Sequence, residues 1–275
     1  HYIFSNPWIR PLPYEQRSKL LPRVGAVLHS HTDSGKGSFL LLKSGPVHSH
    51  HDADEGAIHY VGRGVPLAND GLPLVNINYE QSAELHNVIS FDKPGQPTGS
   101  VEKFFSSDAC DYVRAVVAPR AYACDAMFMD GSHESGFIRE IMMVKSAVPG
   151  GVEYIVLKDR VLGPDMCQWN IDVLSRKPEV LGGGRVWFPG HEREGFGMGL
   201  DLVMFQPEKP EFRIEEGILG DDHKGDNLSK PKCPDLEWLV VEHWNIHVPA
   251  APGTTFLALL FPRRRQEKAP VVQYY

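Results

Sequence analysis

The sequence predicts an all-β fold, a large antiparallel β-sandwich (a supersandwich), and three observations carry that expectation. Apolar runs are short, rich in Val, Ile, Phe and Tyr, and separated by Gly, Pro, Asn and Asp at the spacing of antiparallel strands. The 3.6-residue apolar period of a helix is never sustained over three turns, and only Pro13 to Leu20 offers a short helical turn. At 275 residues the chain can bury a sizeable core, and β-sandwiches of this length are often one continuous domain.

In chain order the strand-length runs are Ser38 to Lys43 (SFLLLK), Val65 to Ala68, Val88 to Phe91, Asp111 to Val117 (DYVRAVV), Phe137 to Val144 (FIREIMMV), Glu153 to Leu157, Leu200 to Phe205 and Thr255 to Phe261. Between Phe137–Ser146 and Val152–Asp159 stands Pro149-Gly150-Gly151, whose turn chemistry predicts a hairpin. The stretch 207–234 carries Gly217, Gly220, Asp221, Asp222, Gly225, Asp226 and Asn227 and reads as loop, the point where a large sandwich would part from a smaller C-terminal sheet. No internal repeat or low-complexity tract stands out.

Composition excludes some functions. An apolar fraction of 42% and a charged fraction of 23% are those of an ordinary globular protein. The formal charge of −7 argues against a nucleic-acid partner or an anionic membrane surface, although a local basic groove can still hold an acidic polymer. No run reaches the roughly 18 apolar residues of a membrane span. Cys110, Cys124, Cys167 and Cys233 show no CxxC pair, which rules out a zinc finger and leaves disulfides or buried thiols open. The chain opens on His1 without a methionine, and a processed product or a fragment is expected.

The informative segment runs from Val47 to Ser90 and holds His48, His50, His51, Asp52, His59, Asp70, Tyr79 and His86. In an extended strand residues two apart share a face, so His48 and His50 project together while His51 points away. Imidazole with carboxylate is a standard zinc set, and three protein ligands leave a fourth position open. The candidates are His50, Asp70 and His86, which flank separate strand-like runs. Against this, thirteen histidines in one chain will cluster somewhere, and an HxH pair alone is weak.

The run HSHHDA, then G-x-P-L-x-x-D-G, then H-N-V before a strand resembles the metal-site region of heparinase II/III-like polysaccharide lyases. Upstream, 25–45 resembles the two strands that precede that region, and downstream FIREIMMVKS and EYIVLKDRV resemble an arginine-containing hairpin. The resemblance covers about residues 20 to 205 and is loose thereafter. It implies a C-terminal β-sandwich spanning 1–275, whose N-terminal helical toroid is absent from this chain. It implies an acidic, uronate-containing polysaccharide or oligosaccharide as ligand, and a secreted or periplasmic location.

Carried over by motif, His50, Asp70 and His86 match the family's zinc ligands, His48 a histidine facing the substrate cleft, and Tyr79, more softly, a tyrosine of the sandwich. His51 departs from the family's usual proline. Such a lyase removes the C5 proton of a uronate and expels the oxygen at C4, so donors must first grip the carboxylate. His48 and Tyr79 are the catalytic candidates here. The Zn2+ is expected to be structural, because elimination consumes no water. A helical partner would have to supply the remaining groups, so the isolated chain is expected to be incomplete.

Two other readings stay open. One is a non-catalytic module in which zinc braces a carbohydrate-binding surface. The other is a cupin-type metalloenzyme, since His48-x-His50-x4-Glu55-x6-Gly62 fits most of a first cupin motif; Leu42 stands where that motif wants glycine, and the second motif is not found. Elsewhere, His29 and His31 form a second HxH near the first. His243 and His247 lie four apart on a strand-like run, about 13 Å from one another, too far to share a metal. Arg263-Arg264-Arg265 reads as a solvated charge run.

Overall fold

The computed structural model describes residues 17–30, 37–45, 53–69, 83–92, 98–118, 135–148, 151–191, 197–216 and 242–272. In chain order the strands are β1 (Lys19–Leu21), β2 (Gly25–His29), β3 (Phe39–Lys43), β4 (Ile58–Gly62), β5 (Val65–Ala68), β6 (Ile89–Phe91), β7 (Thr98–Ser106), β8 (Cys110–Ala118) and β9 (Gly136–Val144). They continue with β10 (Tyr154–Leu162), β11 (Cys167–Leu174), β12 (Glu179–Gly182), β13 (Arg185–Phe188), β14 (Met198–Gln206), β15 (Arg213–Glu216), β16 (His243–Ala250) and β17 (Thr255–Arg264). A 3-10 turn at Ala83–Leu85 is the one helical element among the described residues.

The strands form two antiparallel sheets. The first has nine strands in the order β1-β2-β3-β4-β5-β11-β16-β15, with β6 also paired to β11; the second has eight, β12-β13-β14-β17-β10-β9-β8-β7. The all-β sandwich is therefore as the sequence predicts. The expected hairpin is present, with Val144 opposite Tyr154 and Gly136 opposite Leu162. The strands beyond 207–234 lie inside these same sheets, β16 beside β11 and β17 between β14 and β10.

Alternation explains how the sheets face one another. On β8, Asp111, Val113, Ala115 and Val117 are buried and the intervening residues are not. On β10 the buried set is Ile155, Leu157, Asp159 and Val161, while Lys158 and Arg160 are exposed. Across the gap, Leu40 and Leu42 of β3, Ile58 and Tyr60 of β4, and Trp169, Ile171 and Val173 of β11 meet them in one continuous core. Each large apolar side chain sunk there contributes about 1.5–3 kcal/mol. Polar residues at inward positions, Arg139 and Asp159 foremost, are paired with each other.

Two local expectations change. Lys19 and Leu20, at the end of the expected helical turn, are in β1, because Pro22 and Arg23 turn the chain back and pair Leu21 with Gly25; 13–16 lie outside the described residues. Arg263 is not a solvated charge: it lies in β17, 8% exposed, bound to Asp201 and stacked 3.8 Å from the Trp187 ring. Arg264 and Arg265 are exposed. Cys110 and Cys167 are free thiols, and burial pushes Cys167 up to about 12; Cys124 and Cys233 lie outside the described residues. No helix among the described residues is long and apolar enough to cross a membrane.

Candidate metal centre

Of the predicted site residues, His86 alone is among those described; His48, His50, Asp70 and Tyr79 lie outside them, as does His51. What the structure defines is the frame from which the segments carrying them depart and to which they return. His48 and His50 belong to the connection between β3 and β4. That connection is closed at its base, where the Lys43 N–H donates to Ala57 O at 2.9 Å and the Gly56 N–H to Lys43 O at 2.8 Å. Glu55 lies in the same base, and its carboxylate accepts from the Gly45 N–H at 2.9 Å. Burial pushes its pKa up.

Asp70 follows Asn69, and His86 precedes Asn87, so the chain leaves and re-enters the first sheet at these two asparagines. Both meet β11 at one residue: the Asn69 N–H donates to Asp172 O at 3.3 Å, and the Asp172 N–H donates to Asn87 Oδ1 at 2.6 Å. Here β11 changes neighbours, pairing with β5 only at Val173 and with β6 only from Cys167 to Trp169. Asn87 fills the gap with its side chain. Its Nδ2 donates to Ile58 O of β4 at 2.7 Å while its Oδ1 serves β11, so one amide stands in for a missing stretch of ladder. Nearby, His59 Nδ1 lies 3.2 Å from Asn69 Oδ1.

His86 sits in the tight turn that leads into Asn87 and is 5% exposed. Its N–H donates to Ala83 O at 3.3 Å, and its carbonyl accepts from the Val88 N–H at 2.8 Å. These two backbone bonds fix the residue in its turn, and a histidine held in this way has the chemistry of a zinc donor. Among the described residues no group of three or more His, Cys, Asp or Glu side chains is placed to hold a metal, so His86 is the one candidate donor whose surroundings are defined.

Behind this turn lies a fully buried ion pair. Arg139 of β9 and Asp159 of β10 are both fully buried and bind through two bonds of 2.8 Å. The remaining Arg139 nitrogen, Nη1, reaches across the sandwich to Gly56 O at 2.5 Å and Asn87 O at 2.6 Å, and Trp169 Nε1 donates to Asp159 Oδ2 at 2.9 Å. Sequence reasoning singled out the hairpin but missed this function. The signal was parity: Arg139 falls in step with Phe137, Ile141 and Met143, all inward, and Asp159 with Ile155, Leu157 and Val161.

A second polar group extends along β11 and β16. His247 Nδ1 lies 2.9 Å from Asn170 Oδ1 and 3.1 Å from Gln168 Nε2, and Asn170 Nδ2 donates to Ser90 Oγ at 3.0 Å. Burial pushes the His247 pKa down, which keeps the ring neutral at pH 7. His243 and His247 occupy one strand, as expected, and make separate contacts: His243 lies 3.9 Å from Asp172 Oδ2. His29, in β2, packs edge-on to Phe39 with ring centroids 6.0 Å apart, and His31 lies outside the described residues.

No protein-family model matches the chain, and neither does any curated protein. Solved structures do match. Heparan sulfate lyase HepC from Pedobacter heparinus superposes with a TM-score of 0.66 at 13% identity, over 92% of this chain and 37% of that one. A structure of heparinase III gives 0.65 at 12% identity over 91% of this chain and 37% of its own. The heparinase III-BT4657 gene product gives 0.63 at 12% identity, with 92% and 37% covered. The chain spans a little over a third of the length of the structures it matches. At such identity the likeness is one of architecture: this chain has the fold of the β-sandwich found within heparinase-type polysaccharide lyases.

Proposed function

We propose that the chain is the β-sandwich part of a zinc-containing polysaccharide lyase that cleaves uronate-containing polysaccharide by β-elimination. The observation that carries this reading is the convergence on β11: the segment bearing Asp70 leaves, and the turn bearing His86 returns, on either side of Asp172. With the loop between β3 and β4 rooted at Gly56, one donor from each of three segments, His50, Asp70 and His86, would hold the metal. Zinc bound there braces the segment that presents His48.

His48 then faces the sugar and helps neutralise the uronate carboxylate, which makes the C5 proton removable. A base takes that proton, with Tyr79 the candidate on this chain; the electron pair forms the C4–C5 double bond as the C4–O bond breaks, and the departing oxygen takes a proton from a second group. The likeness to heparan sulfate lyase and heparinase structures supports an acidic polysaccharide as the substrate; a polymer of that kind would be met outside the cytoplasm, in a secreted or periplasmic setting. Because the chain spans only part of those structures, a helical partner is assigned the remaining acid–base groups.

Metal analysis tests the assignment. The purified chain should carry about one equivalent of zinc, and His50→Ala and His86→Ala should lose it together with thermal stability. His48→Ala should keep the metal and, in the complete enzyme, lower turnover about a hundredfold, followed by the ultraviolet absorbance of the unsaturated product. A His86→Ala variant with full zinc would refute the ligand set. Zinc loss in His48→Ala equal to that in His50→Ala would move His48 into it.

A further inference from the structure

We propose that Arg139 is a positioning residue: from inside the sandwich its guanidinium ties Gly56, at the base of the connection between β3 and β4, to Asn87, which follows His86. The proposal rests on the zinc reading for its functional meaning, and on the geometry of the described residues for its physical content.

A guanidinium has five N–H donors and no acceptor, and placing it at zero exposure between two sheets is costly unless every donor direction finds a partner. Asp159, directly opposite on β10, neutralises the charge through Nε and Nη2. That pair alone would satisfy the electrostatics. Nη1 nevertheless reaches past it into the other sheet, where it binds two carbonyls that belong to different chain segments, Gly56 and Asn87. Those two residues are 31 apart in sequence, and each borders a stretch bearing a candidate ligand.

The surroundings leave little slack. Gly56 has φ +88, and a Cβ placed on it would meet Phe137 Cζ at 2.7 Å and Val117 Cγ2 at 2.9 Å, so its backbone lies directly on β8 and β9. Arg139 itself lies over the Phe137 ring, 5.4 Å from its centroid. Asn87 is tied to β4, β11 and Arg139 at once. A shift of either segment along the sandwich would therefore cost a charged hydrogen bond in a low-dielectric interior, and Nη1 makes the two segments share that cost.

The test uses the full chain. Arg139→Met with Asp159→Asn removes both charges and leaves an amide oxygen to accept from Trp169, and apolar replacement of a buried ion pair commonly preserves folding. Should this double variant fail to fold, Arg139→Lys takes its place, keeping the charge for Asp159 while losing the fork. Val113→Ala, chosen for a similar loss of melting temperature away from the clamp, is the control. Zinc affinity is read by chelator competition, and hydrogen exchange by mass spectrometry on peptides covering 44–57 and 83–91.

The expected result is zinc binding weakened about 10-fold or more, the range typical of lost supporting contacts around metal ligands. Both peptides should lose protection together while β9, β10 and β17 retain theirs, and the Val113→Ala control should hold its zinc affinity. Unchanged affinity in a folded variant, or unchanged exchange in either peptide, would overturn the proposal. If the wild-type chain takes up no zinc, the metal reading falls by itself. The exchange data then decide the clamp: joint loss of protection upholds it, and anything else refutes it.

Discussion

The two sheets are built to different plans. In the second sheet β7, β8, β9, β10 and β14 are nine residues each and β17 is ten. There β12 and β13, at one edge, have four. In the first, only β11 and β16 reach eight; β1 and β6 have three residues, β5 and β15 four, and β2, β3 and β4 five. Long strands bury many ladder bonds and one regular face, and form a support. Short ones spend the same chain length on connections, and those of the first sheet carry all the candidate ligands. The difference teaches that a rigid site here is not a property of the sheet that bears it. Rigidity is lent from behind, by side chains such as Arg139 that reach from the regular sheet into the interrupted one.

If that division holds, substitutions at the contact between the sheets should cost most. Arg139→Ala leaves Asp159 a buried, uncompensated carboxylate, and urea unfolding should register a loss of about 3–5 kcal/mol. A loss under about 1 kcal/mol would mean that water reaches the pair and that the sheets are less tightly joined than their contacts indicate. Gly56→Ala comes next, combining a left-handed backbone with close contact to Phe137. It should cost about 1–3 kcal/mol by the same measurement, and a neutral result would show that the two sheets can move apart locally.

Smaller effects belong to polar groups away from that contact. His247 is held neutral by burial, so its folded pKa lies below the ordinary 6.5. As pH falls the unfolded chain takes up the proton first. Stability is therefore whole above about 6.5 and declines as pH drops from there through the folded value. Urea midpoints measured across that range should slope for the wild type and flatten for His247→Gln. The smallest effect is expected on the second sheet, where the Tyr112 hydroxyl donates to Glu140 Oε1 at 2.6 Å. That bond is the main cause of the lowered Glu140 pKa, and it helps burial push Tyr112 up to about 12. Tyr112→Phe should cost about 1 kcal/mol or less and raise the Glu140 pKa toward its ordinary value, visible by carboxyl NMR titration.

How much of this was legible depends on the range of the interaction involved. Period-two alternation is local, and Val65 to Ala68 and Phe137 to Val144 were read almost to the residue, as was the pairing of β9 with β10, though Pro149 and Gly150 of the predicted turn lie outside the described residues. Pairing is not local. Nothing near Ile155 announces that its neighbour is Leu260, because register between such distant strands is settled by which faces must be buried together. The strand that follows His86 was legible from the H-N-V run. The roles of Asn87 and Arg139 were not, since an asparagine that substitutes for a strand, or an arginine that serves two loops, shows its meaning only once the segments it joins are side by side. Arg139 still left one trace, a charge standing in the inward phase of an otherwise apolar strand.

The placement of β17 has a consequence for how the protein comes into being. Residues 255–264 lie not at an edge but in the interior of the second sheet, fourth in its order, hydrogen-bonded to β14 on one side and β10 on the other. Both neighbours are synthesised earlier, and until β17 arrives each presents an open row of amides and carbonyls. A growing chain must therefore wait, half-sheets apart, for its last described strand, and the closing step joins segments separated by about a hundred residues. During that interval the molecule is most exposed to pairing with the wrong chain. A chain cut short before residue 255 would keep every strand of the first sheet but leave the second split into β12-β13-β14 and β10-β9-β8-β7.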